Sequence, residues 1–97
     1  MPYLVDYGSS FKKNYKKIKK QGKDLNKLYL IINKLANKEQ LDVKYCNHIL
    51  NNNKIYYDCY ECHIEPNWLL IYKYDDNHKK LILYATGSHN ELFKDKY

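Results

Sequence analysis

The sequence predicts an α+β fold in which two N-terminal helices pack on a mainly antiparallel sheet, in the order β-α-α-β-β-β. Three observations lead to this fold class. Apolar residues recur with helical spacing in the first third of the chain, strand-like runs fill the second half, and a polar segment joins the two regions. Because a chain of 97 residues builds one hydrophobic core, we expect residues 1–97 to form a single domain.

The helical layer follows a short strand predicted at residues 3–7. Phe11, Tyr15 and Ile18 recur at the spacing of one helical face, so they predict an amphipathic first helix. Asp24 then offers an N-cap for a second helix. The second helix is predicted to bury an apolar stripe made of Leu25, Leu28, Tyr29, Ile32 and Leu35.

Three consecutive strands are predicted after a polar segment at residues 37–53. The first strand, at residues 54–64, alternates, with Tyr56, Tyr60, Cys62 and Ile64 on one side and Tyr57, Cys59, Glu61 and His63 on the other. The second, at residues 67–74, is apolar on both faces, which is typical of a central strand. A third strand at residues 80–85 precedes a short helical turn that holds Leu92 and Phe93.

The charge favours a polyanionic partner. The chain has 17 basic side chains, all of them lysine, against 11 acidic ones, which gives a net charge of +6. Six lysines crowd the first helix, and they form either a solvated face or a surface for RNA and ribosomal phosphates: Lys12, Lys13, Lys16, Lys17, Lys19 and Lys20. The sequence lacks a signal peptide and a run long enough to span a bilayer, so we expect a cytoplasmic protein without membrane contact.

Three histidines are candidates for acid–base chemistry. His48 lies in the polar segment, His63 at a strand end and His89 near the C-terminus, and a meander can bring such positions together. Cleaving RNA without a metal requires one group that removes the 2′-OH proton and another that protonates the leaving 5′ oxygen, and imidazole serves both roles near neutral pH. The alternative is that these histidines are scattered on the surface, as we expect for His78.

The motif Cys59-x-x-Cys62-His63 matches a haem-attachment pattern and half of a zinc site. Both kinds of site require the two thiols to converge. On a strand, residues three apart point to opposite faces, so we expect buried or half-buried free thiols, no metal site and no cofactor.

Three linked motifs resemble a known family. Residues 63–73, HIEPNWLLIYK, are similar to the H-[VI]-x-P-D-[WV]-[IL]-L-[IV]-Y run of YafQ-type toxins in the RelE superfamily. Residues 47–50, NHIL, resemble the family's D-H-x-L, and residues 86–93, TGSHNELF, resemble its T-G-[TS]-H-x-x-L-F. The resemblance implies a RelE-like fold for the α+β domain.

The resemblance also implies an activity: a ribosome-dependent, metal-independent mRNA endonuclease, the toxin of a type II toxin–antitoxin system. In this family the 2′-OH attacks the adjacent phosphorus and leaves a 2′,3′-cyclic phosphate and a 5′-OH. The implied partners are the ribosome, mRNA and a cognate antitoxin, dimeric and DNA-binding. Trp68 is expected to pack beneath the site.

Carried over from the family, His89 is the leading general acid, and His48 and His63 share the base and charge-stabilising roles. Glu61 matches an acidic position, and Phe93 matches the aromatic that helps to place the substrate.

Departures from the pattern leave an alternative open. Asn67 stands where the family has aspartate, and Tyr60 and Ala85 stand where related toxins often have arginine. Lys54 or Lys73 is expected to supply the missing cation. Because an amide cannot accept a proton, the alternative is a catalytically weak toxin-like domain that binds the ribosome or an antitoxin.

Overall fold

One five-stranded sheet runs through the computed structural model, which describes residues 2–50 and 56–93. The elements are β1 (Leu4–Tyr7), α1 (Ser9–Lys20), α2 (Leu25–Ala36), a 3-10 helix (Val43–Tyr45), β2 (His48–Ile49), β3 (Tyr60–Glu65), β4 (Trp68–Asp75), β5 (Lys80–Gly87) and α3 (His89–Phe93). The predicted succession of one strand, two helices, three strands and a short terminal helix is confirmed. The structure adds β2, a two-residue strand within the segment predicted to be a loop.

The strand order in the sheet is β1-β5-β4-β3-β2. Only the β1–β5 pair is parallel among these neighbours, so the prediction of a mainly antiparallel sheet is confirmed. Strand β4 is the middle strand and pairs with β3 on one side and β5 on the other. Every element of the sheet is therefore positioned, directly or through one neighbour, by β4.

The central strand is buried on both faces, as its sequence predicts. Trp68 and Leu70 belong to a core shared with the two long helices, and Leu69 and Ile71 belong to a second, smaller core with α3. All four side chains are completely buried. The side covered by α1 and α2 is called the helix face below, and the opposite side is called the open face.

Helices α1 and α2 cover the helix face with their predicted apolar stripes. Phe11, Ile18 and Leu28 are buried in the larger core. The Oδ1 of Asp24 accepts a hydrogen bond from the backbone N–H of Asn26 at 3.1 Å, which is the predicted N-cap. Within the described residues, no helix has the length and apolar character that crossing a membrane requires.

The predicted stripe of α2 is wrong at one position. The side chain of Tyr29 lies at the rim of the helix pair and is 48% exposed, whereas Ile31 is buried. The hydroxyl groups of Tyr29 and Tyr15 hydrogen-bond to each other, which links α2 to α1 at the surface. A tyrosine can occupy this rim because its ring packs while its hydroxyl stays in water.

The first strand of the meander begins later than predicted. It starts at Tyr60 rather than at residue 54, and Tyr56 packs in the smaller core on the open face instead of beside Tyr60. The reason is a turn: Asp58 has a positive φ of 60°, and the N–H of Cys59 bonds to the carbonyl of Tyr56 at 3.1 Å. Residues 51–55, which include Lys54, lie outside the described part of the chain.

A buried hydrogen-bond chain joins β4 to β5. The Nε1–H of Trp68 donates to Oγ1 of Thr86 at 2.9 Å, and that hydroxyl donates to the carbonyl of Leu69 at 2.8 Å. Buried polar atoms must be paired, and here each one satisfies the next. Trp68 is thus buried on the helix face, and its hydrogen bond also fixes the end of β5.

Replacing Trp68 with phenylalanine tests this role. The change removes the indole donor and leaves a small cavity, so the free energy of unfolding should fall by about 2 kcal/mol in chemical denaturation. Tyr57→Phe is the control, because the Tyr57 side chain is 73% exposed and its change should stay within about 0.5 kcal/mol. Equal stability of Trp68→Phe and wild type would contradict the assignment.

Candidate active site

A buried carboxylate lies between two imidazoles on the open face. Alternation along β3 places Glu61 and His63 on this face, and antiparallel pairing puts His48 of β2 directly opposite Glu61. The Oε2 of Glu61 is 3.1 Å from Nε2 of His63 and 3.3 Å from Nε2 of His48. These three residues are called the His–Glu–His cluster. Convergence was predicted for His48, His63 and His89; the first two meet at Glu61, and His89 lies on α3, outside this cluster.

Each imidazole of the cluster also faces a backbone carbonyl. The Nδ1 of His63 lies 3.3 Å from the carbonyl of Pro66, and the Nδ1 of His48 lies 3.3 Å from its neighbour, the carbonyl of Ile49. Carbonyl and carboxylate oxygens only accept, whereas a neutral imidazole has one N–H to donate. Each ring therefore lies between two oxygen atoms, and in its neutral form it can donate an N–H to one of them.

Burial differs sharply within the cluster. The side chain of Glu61 is 7% exposed, whereas those of His63 and His48 are 27% and 53% exposed. A substrate on the open face therefore meets the imidazoles, and the carboxylate lies behind them. Its Oε2 is the hydrogen-bond partner of Nε2 of His63 and lies within ion-pair distance of Nε2 of His48.

The third histidine is held by α3. His89 is exposed, and its ring centroid is 4.7 Å from that of Phe93. Leu92 packs in the smaller core with Leu69 and Ile71, which places α3 on the open face. The predicted catalytic residues on β2, β3 and α3 therefore share one side of the sheet.

Among the remaining predicted site residues, Asn67 lies in the exposed turn between β3 and β4, not at the start of the central strand. Lys73 follows Leu69 and Ile71 at two-residue spacing along β4, so its side chain starts from the open face. Ala85 is buried in the smaller core.

The six lysines of α1 belong to the other side of the molecule. All six are exposed on the helical layer. The Nζ of Lys17 forms an ion pair with Oε2 of Glu91 at 2.9 Å. Within residues 2–50 and 56–93, the other five form no ion pair with a carboxylate. Their positive charge is therefore available to an external polyanion.

A cleft beside His63 is lined by further residues that were not predicted from the sequence to belong to a site. Its volume is about 710 Å³, and it is lined by Lys27, Leu30, Lys44, Tyr45, Cys46, His63, Ile64, Glu65 and Pro66. Lys44 and Tyr45 come from the 3-10 helix, which Asp42 caps by accepting from the N–H of Lys44 at 3.0 Å. Three residues are too few for a periodic pattern, so the capping aspartate was the only signal available.

Two groups of residues bear on metal binding. The possible ligand atoms of His48, Glu61 and His63 lie within 4.8 Å of one another, and imidazole and carboxylate suit zinc or copper. Cys59 and Cys62 cannot share a metal, because they lie in the two separate cores. Cys59 precedes β3 rather than lying in it, and the two thiols still face opposite sides of the sheet.

The cysteines should differ in reactivity. Cys46 is exposed, whereas Cys59 and Cys62 are buried, and burial raises the pKa of the Cys62 thiol to about 12. Since the thiolate is the reactive form, a thiol-alkylating reagent at neutral pH should add once to the folded protein and three times in denaturant, as read by mass spectrometry. Cys46→Ser should then show no adduct while folded. Rapid alkylation of Cys62 under native conditions would contradict this burial.

Known proteins are similar to this chain in sequence and in architecture. The family model "Bacterial toxin of type II toxin-antitoxin system, YafQ" matches residues 3–94. The "mRNA interferase toxin YafQ" of Escherichia coli BL21-DE3 is 40% identical over 91 residues, covering 92% of this chain and 94% of that protein.

Solved structures of toxins also have the same fold as this chain. A metal-bound toxin from Helicobacter pylori superposes with a TM-score of 0.87 at 35% identity and covers 94% of this chain and 99% of its own. The toxin chain of the E. coli DinJ-YafQ toxin–antitoxin complex superposes with a TM-score of 0.83 at 33% identity and covers 96% and 99%.

Proposed function

The chain belongs to the YafQ family of type II toxin–antitoxin toxins, and from this we propose that it is an endonuclease that cleaves mRNA on the ribosome, in the cytoplasm, with residues 1–97 acting as a single domain. The observation that carries the proposal is the His–Glu–His cluster on the same face as His89 and Phe93. This face offers the proton acceptor, proton donor and aromatic surface that RNA cleavage by its own 2′-OH requires.

The proposed reaction needs no metal. One imidazole of the cluster takes the proton of the 2′-OH, and the oxygen then attacks the adjacent phosphorus. The bond to the 5′ oxygen breaks, and that oxygen takes a proton from His89. The products are a 2′,3′-cyclic phosphate and a 5′-OH. His48 and His63 share the base and charge-stabilising roles.

Two further residues support substrate placement. Phe93 presents its ring beside His89, where a base or sugar can pack against it. Lys73 places a cation on the open face, and we infer that it takes the role of the arginines that related toxins often have at the positions of Tyr60 and Ala85.

The departure at Asn67 does not remove the carboxylate from the site. The Oε2 of Glu61 already lies 3.1 Å from Nε2 of His63, as a hydrogen-bond partner, and 3.3 Å from Nε2 of His48. Asn67 lies in the exposed turn beside Pro66, whose carbonyl faces His63. An amide there can hydrogen-bond to RNA without contributing charge. This arrangement favours the active enzyme over the catalytically weak binding domain.

The proposed partners follow from charge and family. The exposed lysines of α1 suit ribosomal RNA, because lysine contacts phosphate without reading sequence. A cognate antitoxin, dimeric and DNA-binding, should occupy the toxin in resting cells; the E. coli DinJ-YafQ complex supports the pairing with an antitoxin.

Mapping of mRNA 5′ ends after induced expression tests the activity. Wild type should generate new ends inside translated messages, and these ends should require phosphorylation before adaptor ligation because they carry a 5′-OH. His89→Gln should lose at least a hundredfold of the new ends, since general acid catalysis contributes that much. His78→Gln is the matched control, because His78 lies in an exposed turn bonded to Asp75 and should leave cleavage unchanged.

Two outcomes would contradict the proposal. Ends carrying a 5′-phosphate would indicate a hydrolytic, metal-assisted reaction instead. Growth arrest and ribosome binding without any new ends would establish the weak binding domain, and Asn67→Asp would then be the variant to test for restored cleavage.

Ribosome binding should depend on the charge of α1. A variant with Lys12, Lys13, Lys16 and Lys19 all changed to glutamine should bind ribosomes less tightly and with a shallower dependence on salt. Each lost phosphate contact should reduce the slope of log K against log salt by about 0.7 to 0.9. The control variant Lys34→Gln/Lys38→Gln removes lysines away from α1 and should bind as wild type does. An unchanged slope in the α1 variant would exclude this surface as the contact.

A further inference from the structure

Helix α3 is too short to be stable by itself. It has five residues, and an isolated helix of that length does not form in water. It nevertheless carries His89 and Phe93, whose placement the proposed reaction requires to within a fraction of an ångström. Contacts with the rest of the protein must therefore hold it.

The apolar contacts of α3 fix one side of it. Leu92 is buried in the smaller core, and its carbonyl accepts a hydrogen bond from the hydroxyl of Tyr56 at 3.0 Å. The Tyr56 ring also packs edge-on against Phe93, with centroids 5.4 Å apart. These contacts hold the C-terminal end of α3 and leave its beginning, where His89 lies, to other groups.

Ser88 and Glu91 hold the beginning of α3 through reciprocal hydrogen bonds. The N–H of Ser88 donates to Oε1 of Glu91 at 2.9 Å, and the N–H of Glu91 donates to Oγ of Ser88 at 3.1 Å. This is a capping box, which pairs two backbone donors that the helix itself leaves unpaired. It uses only one oxygen of the Glu91 carboxylate.

The second oxygen of Glu91 is bound by α1. Its Oε2 is 2.9 Å from Nζ of Lys17 and 3.3 Å from Nε2 of Gln21, two residues one helical turn apart. Asn14 precedes Lys17 on the same helix, and its Oδ1 accepts from the backbone N–H of Thr86 at 3.1 Å. Asn14, Lys17 and Gln21, which follow one side of α1, therefore bind both the end of β5 and the beginning of α3.

A side chain on Gly87, the residue between these two attachment points, would displace the Glu91 carboxylate. Gly87 has a positive φ of 155°, and a Cβ on it would lie 2.9 Å from Oε1 of Glu91. Glycine thus permits the close approach of the carboxylate to the turn that leads into α3.

We propose that Glu91 is a positioning residue that fixes His89 and Phe93 by anchoring α3 to Lys17 and Gln21 of α1. The proposal assigns Lys17 to the architecture of the site rather than to the ribosome-binding lysines. The hydrogen bonds from Ser88 and the contacts with Lys17 and Gln21 also lower the pKa of Glu91 to about 2, so the anchor stays ionised at neutral pH. The positioning role of Glu91 rests on the proposed function only through the roles given to His89 and Phe93.

Graded variants separate the anchor from the capping box. Glu91→Gln keeps a residue that can complete the box but loses the ion pair, and Glu91→Ala loses both. On programmed ribosomes we expect kcat to fall about tenfold in Glu91→Gln and further in Glu91→Ala. KM for ribosomes should not rise, because each change increases the net positive charge. Hydrogen exchange at the Leu92 amide, which bonds to the carbonyl of Ser88, should accelerate in the same order.

Variants of Lys17 test the same contact from the other helix. Lys17→Met should lower kcat as Glu91→Gln does, and the double variant should be no worse than the poorer single one, because both remove one interaction. Lys17→Arg should restore kcat, since a guanidinium can also bind the carboxylate. Lys34→Met is the control, because it breaks a surface ion pair with Glu39 at 3.7 Å on α2 and should leave kcat and Leu92 exchange unchanged.

The two proposals fail in different ways. Wild-type kcat in Glu91→Gln, together with inactive His89→Gln, would overturn the positioning role of Glu91 alone. Additive losses in the double variant would also overturn it, because they would mean that Lys17 acts elsewhere. If His89→Gln cleaves normally, the catalytic assignment fails, and Leu92 exchange in Glu91→Gln still decides whether Glu91 holds α3.

Discussion

The burial of β4 on both faces is the constraint on which the rest of the structure depends. Trp68 and Leu70 require a cover on one side of the sheet, and Leu69 and Ile71 require one on the other. Two 12-residue helices meet the first requirement. The second is met by α3 and the turn before β3, which are much smaller. The open face is therefore covered only in part, and the imidazoles of His48 and His63 lie on the part that is not covered.

The carboxylate of the His–Glu–His cluster makes this uncovered surface chemically specific. Burying a charge is costly unless it is paired, and Glu61 has two imidazole partners. The pairing also orients the two histidines, because the Glu61 carboxylate determines which ring nitrogen of each histidine faces inward. The position at which Asn67 replaces the aspartate of the family pattern therefore lies at the rim of the cluster rather than at its centre.

Much of this architecture could be predicted, because it depends on periodicity. The stripes of α1 and α2, the double burial of β4 and the shared face of Glu61 and His63 all follow from spacings of 3.6 or 2 residues. The features that could not be predicted depend on the identity or conformation of single residues. Strand β2 has two residues and exists only because β3 lies beside it. The turn that moved Tyr56 to the open face depends on Asp58 at positive φ, and the sequence signal, an aspartate, was too common to be decisive.

Helix α1 contributes both to the hydrophobic core and to the basic surface of the molecule. Its apolar side packs in the core through Phe11 and Ile18, and most of its lysines face solvent. Mutual repulsion among six lysines would weaken the helix, and Glu91 is the acidic side chain that offsets it from within the protein. Because this contact also anchors α3, the charge balance of α1 is coupled to the position of His89. A basic helix selected only for phosphate binding would have no need of that row of Asn14, Lys17 and Gln21.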